Sequence, residues 1–207
     1  MSKVKMPRTS VFIDMTPMVD MAFLLVTFFI LTTSFRPDEP VHVNTPSSTW
    51  TSTPPEHGKV TITIAPDGRV FFDLDNQNYR RDLLQRMGDT YGITFTPDQL
   101  NAFATGSSIG LPMSAMGGYL DLDPDDRKKV EQPGIPVDST KNTSNELGVW
   151  LVNARLAGNN PVILIKGDQQ ANYPSVKYVF KTLQDRKVNK FGLITSEEAA
   201  PSTNQLK

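Results

Sequence analysis

Asp20 is the residue in this chain whose type and setting point most directly to chemistry. It lies in an apolar run from Met15 to Phe35 that contains no other ionisable group. A carboxylate at mid-membrane costs on the order of 2.5–3.5 kcal/mol, and the large apolar residues Phe23, Leu24, Leu25, Val26, Phe28, Phe29, Ile30, Leu31 and Phe35 return roughly 3–5 kcal/mol together. The two sums nearly cancel, so the helix can insert, but only with the acid as a heavy charge against it. An ionisable side chain in such a place is read as functional. Desolvation favours the neutral form of a carboxyl group, which makes Asp20 a candidate proton carrier. Moving one charge through ~100 mV releases about 2.3 kcal/mol, enough for conformational work. A lone helix cannot shelter the group from lipid, so a partner bundle is implied. On a helical projection Thr27 and Ser34 recur on the face of Asp20 at spacings of seven.

The element that must position Asp20 is a transmembrane helix over residues 15–35. Pro17 to Phe35 spans roughly 28 Å as a helix, close to ~30 Å of hydrocarbon. Thr16-Pro17 reads as N-cap and first helical residue, which brings Asp20 near the positive end of the helix dipole. An earlier start makes Pro17 a kink and sets Asp20 deeper. Lys3, Lys5 and Arg8 precede the run, and only Arg36 follows closely, so the N-terminus is expected inside and the rest outside. The competing reading is a signal peptide cleaved near Thr32-Thr33-Ser34; Asp14 and Asp20 argue against it.

The 207 residues carry no cysteine and a net charge of −1. Thiolate metal sites and disulfides are excluded, and nucleic acid is not an expected partner. Residues 1–14 read as a cytoplasmic tail. Residues 36–57 hold five prolines and many Ser and Thr residues, an extended linker of up to roughly 70 Å at ~3.1 Å per residue.

A folded domain is expected over 58–196, followed by a mobile tail at 197–207. Val60, Ile62 and Ile64 alternate with threonines as a half-buried strand; Pro66-Asp67-Gly68 turns into Val70-Phe71-Phe72, making a hairpin. Leu83, Leu84 and Met87 mark a helix over 79–88, and Thr96-Pro97 opens another with Leu100, Phe103 and Ala104 inward. Residues 105–120 read as a loop. Asp123-Pro124 starts a short helix. Leu147, Trp150, Leu151 and Ala154 mark a helix ended by Gly158-Asn159. Val162–Ile165 is a buried strand, Val176, Val179, Phe180 and Leu183 a helix, and Phe191–Ile194 the last strand. The order predicts an α+β sandwich, one sheet with helices on one face. Its edge strands are expected to pair with an incoming peptide by strand addition, or the linker to add to a neighbour's sheet.

Other motifs carry less. Asp121-Leu-Asp123-Pro-Asp125-Asp126 begins like a calcium loop but lacks the required Gly and Glu. Asn142-Thr143-Ser144 fits a glycosylation sequon. His42 and His57 have no ligand cluster, and Met113 and Met116 read as core. No catalytic constellation appears, so the chain reads as a non-enzyme without cofactor or metal.

Asp14-Met-Thr16-Pro17-Met-Val-Asp20 and the helix after it resemble the signature of the ExbD/TolR family of biopolymer-transport proteins. Asp20 falls on that family's proton-coupling aspartate. Val41-His-Val43-Asn44-Thr-Pro46 is similar to the family's V-x-V-x-x-P segment outside the membrane. Asp14 stands where relatives often carry Asn, and residues 86–140 look like an insertion. The resemblance implies a single-pass protein of the bacterial inner membrane with a periplasmic domain. It implies a homodimer inside a pentameric ExbB/TolQ-like channel protein, driving a TonB-like or TolA-like periplasm-spanning partner. The function expected is energy transduction from the proton-motive force to outer-membrane transport. The alternatives are a TolR-like role in envelope maintenance, or an anchored binding module without proton coupling.

Overall fold

The computed structural model describes residues 14–33, 39–48, 58–137 and 145–197. The chain divides into two compact units, residues 1–36 and 37–207.

The first unit is built on helix α1 (Thr16–Thr32). Its 17 residues extend about 25 Å at ~1.5 Å per residue. Among the described residues, no helix is long and apolar enough to cross a membrane. None of the α1 residues is buried, and its leucines, phenylalanines and Ile30 are all more than half exposed.

The helix starts one residue earlier than the sequence suggests. Met15 takes the N-cap position, Thr16 is the first helical residue and Pro17 the second. Asp14 explains the shift, because its carboxylate accepts from the Thr16 N–H at 3.0 Å and so satisfies one of the orphan donors of the first turn. Pro17 costs nothing at its position, where an N–H would also lack an intrahelical partner.

The second unit comprises β1 (Ser47–Ser48), β2 (Lys59–Ile64), β3 (Val70–Leu74), α2 (Gln77–Tyr91), α3 (Pro97–Thr105), α4 (Met113–Leu120), α5 (Pro124–Arg127), α6 (Glu146–Ala157), β4 (Val162–Gly167), α7 (Tyr173–Asp185), β5 (Phe191–Leu193) and β6 (Ser196–Glu197). Four strands form one sheet in the order β3-β2-β4-β5. The β2–β3 pair is antiparallel, and β2–β4 and β4–β5 are parallel. The hairpin turns at Gly68, whose φ of +87° a side chain would disfavour.

Alternation along the strands puts Val60, Ile62, Ile64, Phe72, Leu74, Ile163 and Ile165 on one face. These join a single core with Leu83, Leu84 and Met87 of α2, Trp150 and Leu151 of α6, and Val179 and Leu183 of α7. The opposite face is also covered at one end, where Thr63 and its cross-strand partner Phe71 are buried. Phe71 lies against Gly110, where a Cβ would overlap its ring.

Capping follows the side chains. Asn76 accepts from the N–H groups of Asn78 and Tyr79 to start α2, and Thr96 and Gln99 form a reciprocal capping box on α3. Residues 105–120, expected as a loop, contain α4. Met113, Met116 and Leu120 recur on one face and are buried, and that burial outweighs the poor helix propensity of Gly117 and Gly118. The segment between α2 and α6 is pinned by Arg80. It ion-pairs with Asp73, donates to Phe103 O at 2.9 Å and Ser107 O at 2.7 Å, and lies over the Phe103 ring.

Candidate functional site

Two places in the chain carry the residues singled out above. The first is α1. Asp20 lies in its second turn, past the first turn where the helix dipole acts most strongly. Its side chain is exposed, and no described residue hydrogen-bonds to its carboxylate. It is the sole ionisable side chain between Met15 and Thr33.

Thr27, two turns along on nearly the same face, is the one half-buried residue of the helix. Its hydroxyl donates to Phe23 O at 3.0 Å and Leu24 O at 2.9 Å, so its proton is used within the helix while its lone pairs remain free to accept. Thr16 is similarly committed, its hydroxyl donating to Asp14. The Thr16 hydroxyl and N–H hold the Asp14 carboxyl below the usual carboxylate range, so Asp14 serves as an ionised cap. Ser34 lies outside the described residues, as do Asn142 to Ser144 and His57.

The second place is the segment 39–48, in the stretch read as a tether. Val41, Val43 and Thr45 are half-buried while His42, Asn44 and Pro46 are exposed, the alternation of an extended strand lying on a surface. The Asn44 N–H donates to Asp168 Oδ2 at 2.8 Å, and Asn44 O accepts from the Gln169 N–H at 3.0 Å. Thr45 O accepts from Gln169 Nε2 and Ser196 Oγ. Pro46 O accepts from the Ser196 N–H at 2.9 Å, and β1 continues as a parallel pair with β6. Lys166 pairs with Glu39 at 2.6 Å.

Asp168–Gln169 directly follow β4, and Ser196 follows β5. The β4–β5 ladder ends where the Ile194 N–H meets Ile165 O. Beyond that point the two strands separate, and residues 44–48 fill the gap. The linker, expected to add to a neighbour's sheet, instead pairs its residues Ser47–Ser48 with β6 of its own chain, as a separate two-stranded sheet. The clasp residues Asp168, Gln169 and Ser196 were not evident from sequence. The available signal was Asp168 itself, a buried carboxylate at the C-terminal end of a buried strand, a position that demands donors. It finds them in the N–H groups of Asn44 and Gln170.

The site can thus do two things: present a lone carboxyl on an uncovered apolar helix, and fix an extended segment to a folded domain. The family model for biopolymer transport protein ExbD/TolR matches residues 7–198. No curated protein and no solved structure matches the chain. The match takes in both α1 and the clasp, and the chain belongs to the ExbD/TolR family of biopolymer transport proteins.

Proposed function

We propose that this protein is the proton-coupled, energy-transducing subunit of an inner-membrane motor of ExbB–ExbD type, and that Asp20 carries the proton. The observation that supports this is the pairing of a lone carboxyl, without a hydrogen-bond partner among the described residues, with an otherwise apolar helix that buries none of its own residues. Such a surface is stable only in lipid or among other helices. Reading α1 as membrane-spanning requires the bilayer to thin by a few Å, or flanking residues to reach the interface. In an ExbB/TolQ-like pentamer holding a homodimer of this chain, polar lining or water reaches Asp20, and the group exchanges its proton there. Uptake and release alternate the charge on the helix, and the helix moves.

The domain at 58–196 stands in the periplasm in this reading and acts on a TonB-like, periplasm-spanning partner. Residues 39–48 are the mechanical link. Asp168, Gln169 and Ser196 dock them on the domain. Motion of α1 then reaches the sheet instead of dissipating in a slack chain. The protein performs no bond-making chemistry and needs no cofactor.

Asp20→Asn tests the proposal. The substitution keeps size and polarity and removes titration. Expected are normal co-purification with the channel partner and complete loss of energised uptake across the outer membrane. Uptake at the unsubstituted rate sinks the assignment of Asp20.

A further inference from the structure

A cleft of about 290 Å³ lies between the β2–β3 turn, the segment 133–137 and the start of α7. That volume is just below the ~300–1,000 Å³ of ordinary small-molecule pockets, so it suits a compact solute. One wall is apolar, made by Val70, Pro133, Ile135 and Val137; Asp67, Arg69, Ser175 and Tyr178 supply polar groups.

The walls are fixed before any ligand arrives. Phe72 and Ile109 exchange backbone hydrogen bonds of 2.7 and 2.8 Å, and the Ile135 N–H donates to Val70 O at 2.8 Å, so the two isoleucines close the β3 edge. The Gly134 N–H donates to Gly110 O at 2.7 Å. A Cβ at Gly134 would stand 3.0 Å from the Val70 nitrogen, so only glycine lets this segment lie so close to β3. Across the cleft the turn packs on α7, where a Cβ at Gly68 would overlap the Ser175 hydroxyl.

The charges are fixed as well. The Arg69 N–H donates to Asp67 Oδ1 at 3.1 Å, Arg69 Nε to Asp67 Oδ2 at 2.5 Å, and Arg69 Nη1 to Gln132 O at 2.8 Å. Glu131 approaches Nη1 at 3.6 Å but is 89% exposed, and such a pair adds little. A guanidinium has five N–H donors, and no described residue accepts from Nη2. Each Asp67 oxygen accepts once from Arg69 and keeps further lone-pair capacity. The cleft therefore offers a held cation with spare donors beside a held anion with spare acceptors. A simple anion at Arg69 meets Asp67, and a simple cation at Asp67 meets Arg69. A solute that carries both charges on neighbouring groups satisfies both.

We propose that this cleft binds a free apolar α-amino acid, its carboxylate on Arg69, its ammonium on Asp67 and its aliphatic side chain against Val70, Pro133, Ile135 and Val137. The charge-assisted hydrogen bonds fix orientation, and the apolar wall selects the side chain. The inference rests on the domain alone and not on the role of Asp20.

The test uses the full chain in lipid nanodiscs with carbon-13 in the valine and isoleucine methyl groups. Leucine is expected to produce saturable shifts at Val70, Ile135 and Val137. Leucinamide, which lacks the carboxylate, and 4-methylpentanoate, which lacks the ammonium, are each expected to bind at least about tenfold more weakly. These comparisons use the unsubstituted chain and so do not depend on the folding of a variant. Asp67→Asn is expected to weaken leucine by a similar factor and 4-methylpentanoate not at all. Asp20→Asn is expected to leave leucine binding unchanged, which separates this inference from the proton-carrier reading. Absence of shifts with leucine, equal binding of leucine and its two analogues, or the same methyl shifts from glucose overturns the proposal.

Discussion

Helix α1 and the domain that follows it handle apolar surface in opposite ways. In the domain the large side chains of β2, β3, α2 and α6 point inward, and Trp150 is fully buried between Phe72 and Phe103. In α1 every apolar side chain faces outward, with Leu31 85% exposed. The acids differ in parallel. Asp168 is buried and accepts from two backbone N–H groups, one on each oxygen, whereas Asp20 is exposed and hydrogen-bonded to no described residue. The domain is complete in itself. The helix leaves its apolar side chains and its one carboxyl exposed.

Breaking this contrast should give effects of very different size. Asp20→Asn stands at the top: transport falls to background, while the thermal melt of the domain is unmoved because α1 contributes nothing to its core. A shifted melt would mean that the two regions are energetically coupled. Trp150→Ala does the reverse. It removes the largest core side chain and should cost about 3–5 kcal/mol in denaturant unfolding, with loss of function only through loss of folded domain. A cost below about 1 kcal/mol would place Trp150 outside the cooperative core.

A smaller effect belongs to the clasp. Asp168→Ala removes hydrogen bonds to a charged acceptor, each worth about 1.5–3 kcal/mol. The Asn44 amide should then exchange at least about tenfold faster. Unchanged exchange would show that β1 and Gln169 hold the segment without Asp168.

The smallest effect is a pH dependence. Burial pushes the Glu146 carboxyl above the ordinary glutamate value, partly offset by the Met113 N–H that it accepts at the start of α4. A raised carboxyl binds protons more readily folded than unfolded. Its contribution to stability is therefore present below the ordinary value of 4.5 and is lost as pH rises through the raised one. Glu146→Gln should flatten that part of the stability profile. A profile that keeps its slope in the variant would assign the slope to another group.

Local patterns were the legible part of this molecule. The alternation in β2, the Thr96–Gln99 capping box and the Leu83, Leu84, Met87 stripe each show in a few neighbouring residues. Helix α4 was hidden because Gly117, Gly118 and Ser114 argue locally for a loop, and only long-range burial of Met113 and Met116 decides otherwise. The clasp was hidden for a related reason. Asn44 and Asp168 are 124 residues apart, and a Pro-rich segment with little to bury reads as free chain until its hydrogen-bond partners are known. The closure of the β3 edge by Ile109 and Ile135 is likewise a property of tertiary register. Asp20 stood out at once, since a charge in an apolar run is conspicuous in sequence alone, although its surroundings in an assembly are not.

The central claim is that Asp20 gains and loses a proton within the assembled complex. Isotope-edited infrared spectroscopy on membranes holding this chain with its channel partner, with carbon-13 in the aspartate side chains and Asp20→Asn as reference, reads that directly. The expected result is a protonated carboxyl band, absent from the variant, that interconverts with a carboxylate band when a proton gradient is imposed across the membrane. A carboxylate signal that persists unchanged with and without the gradient would contradict it.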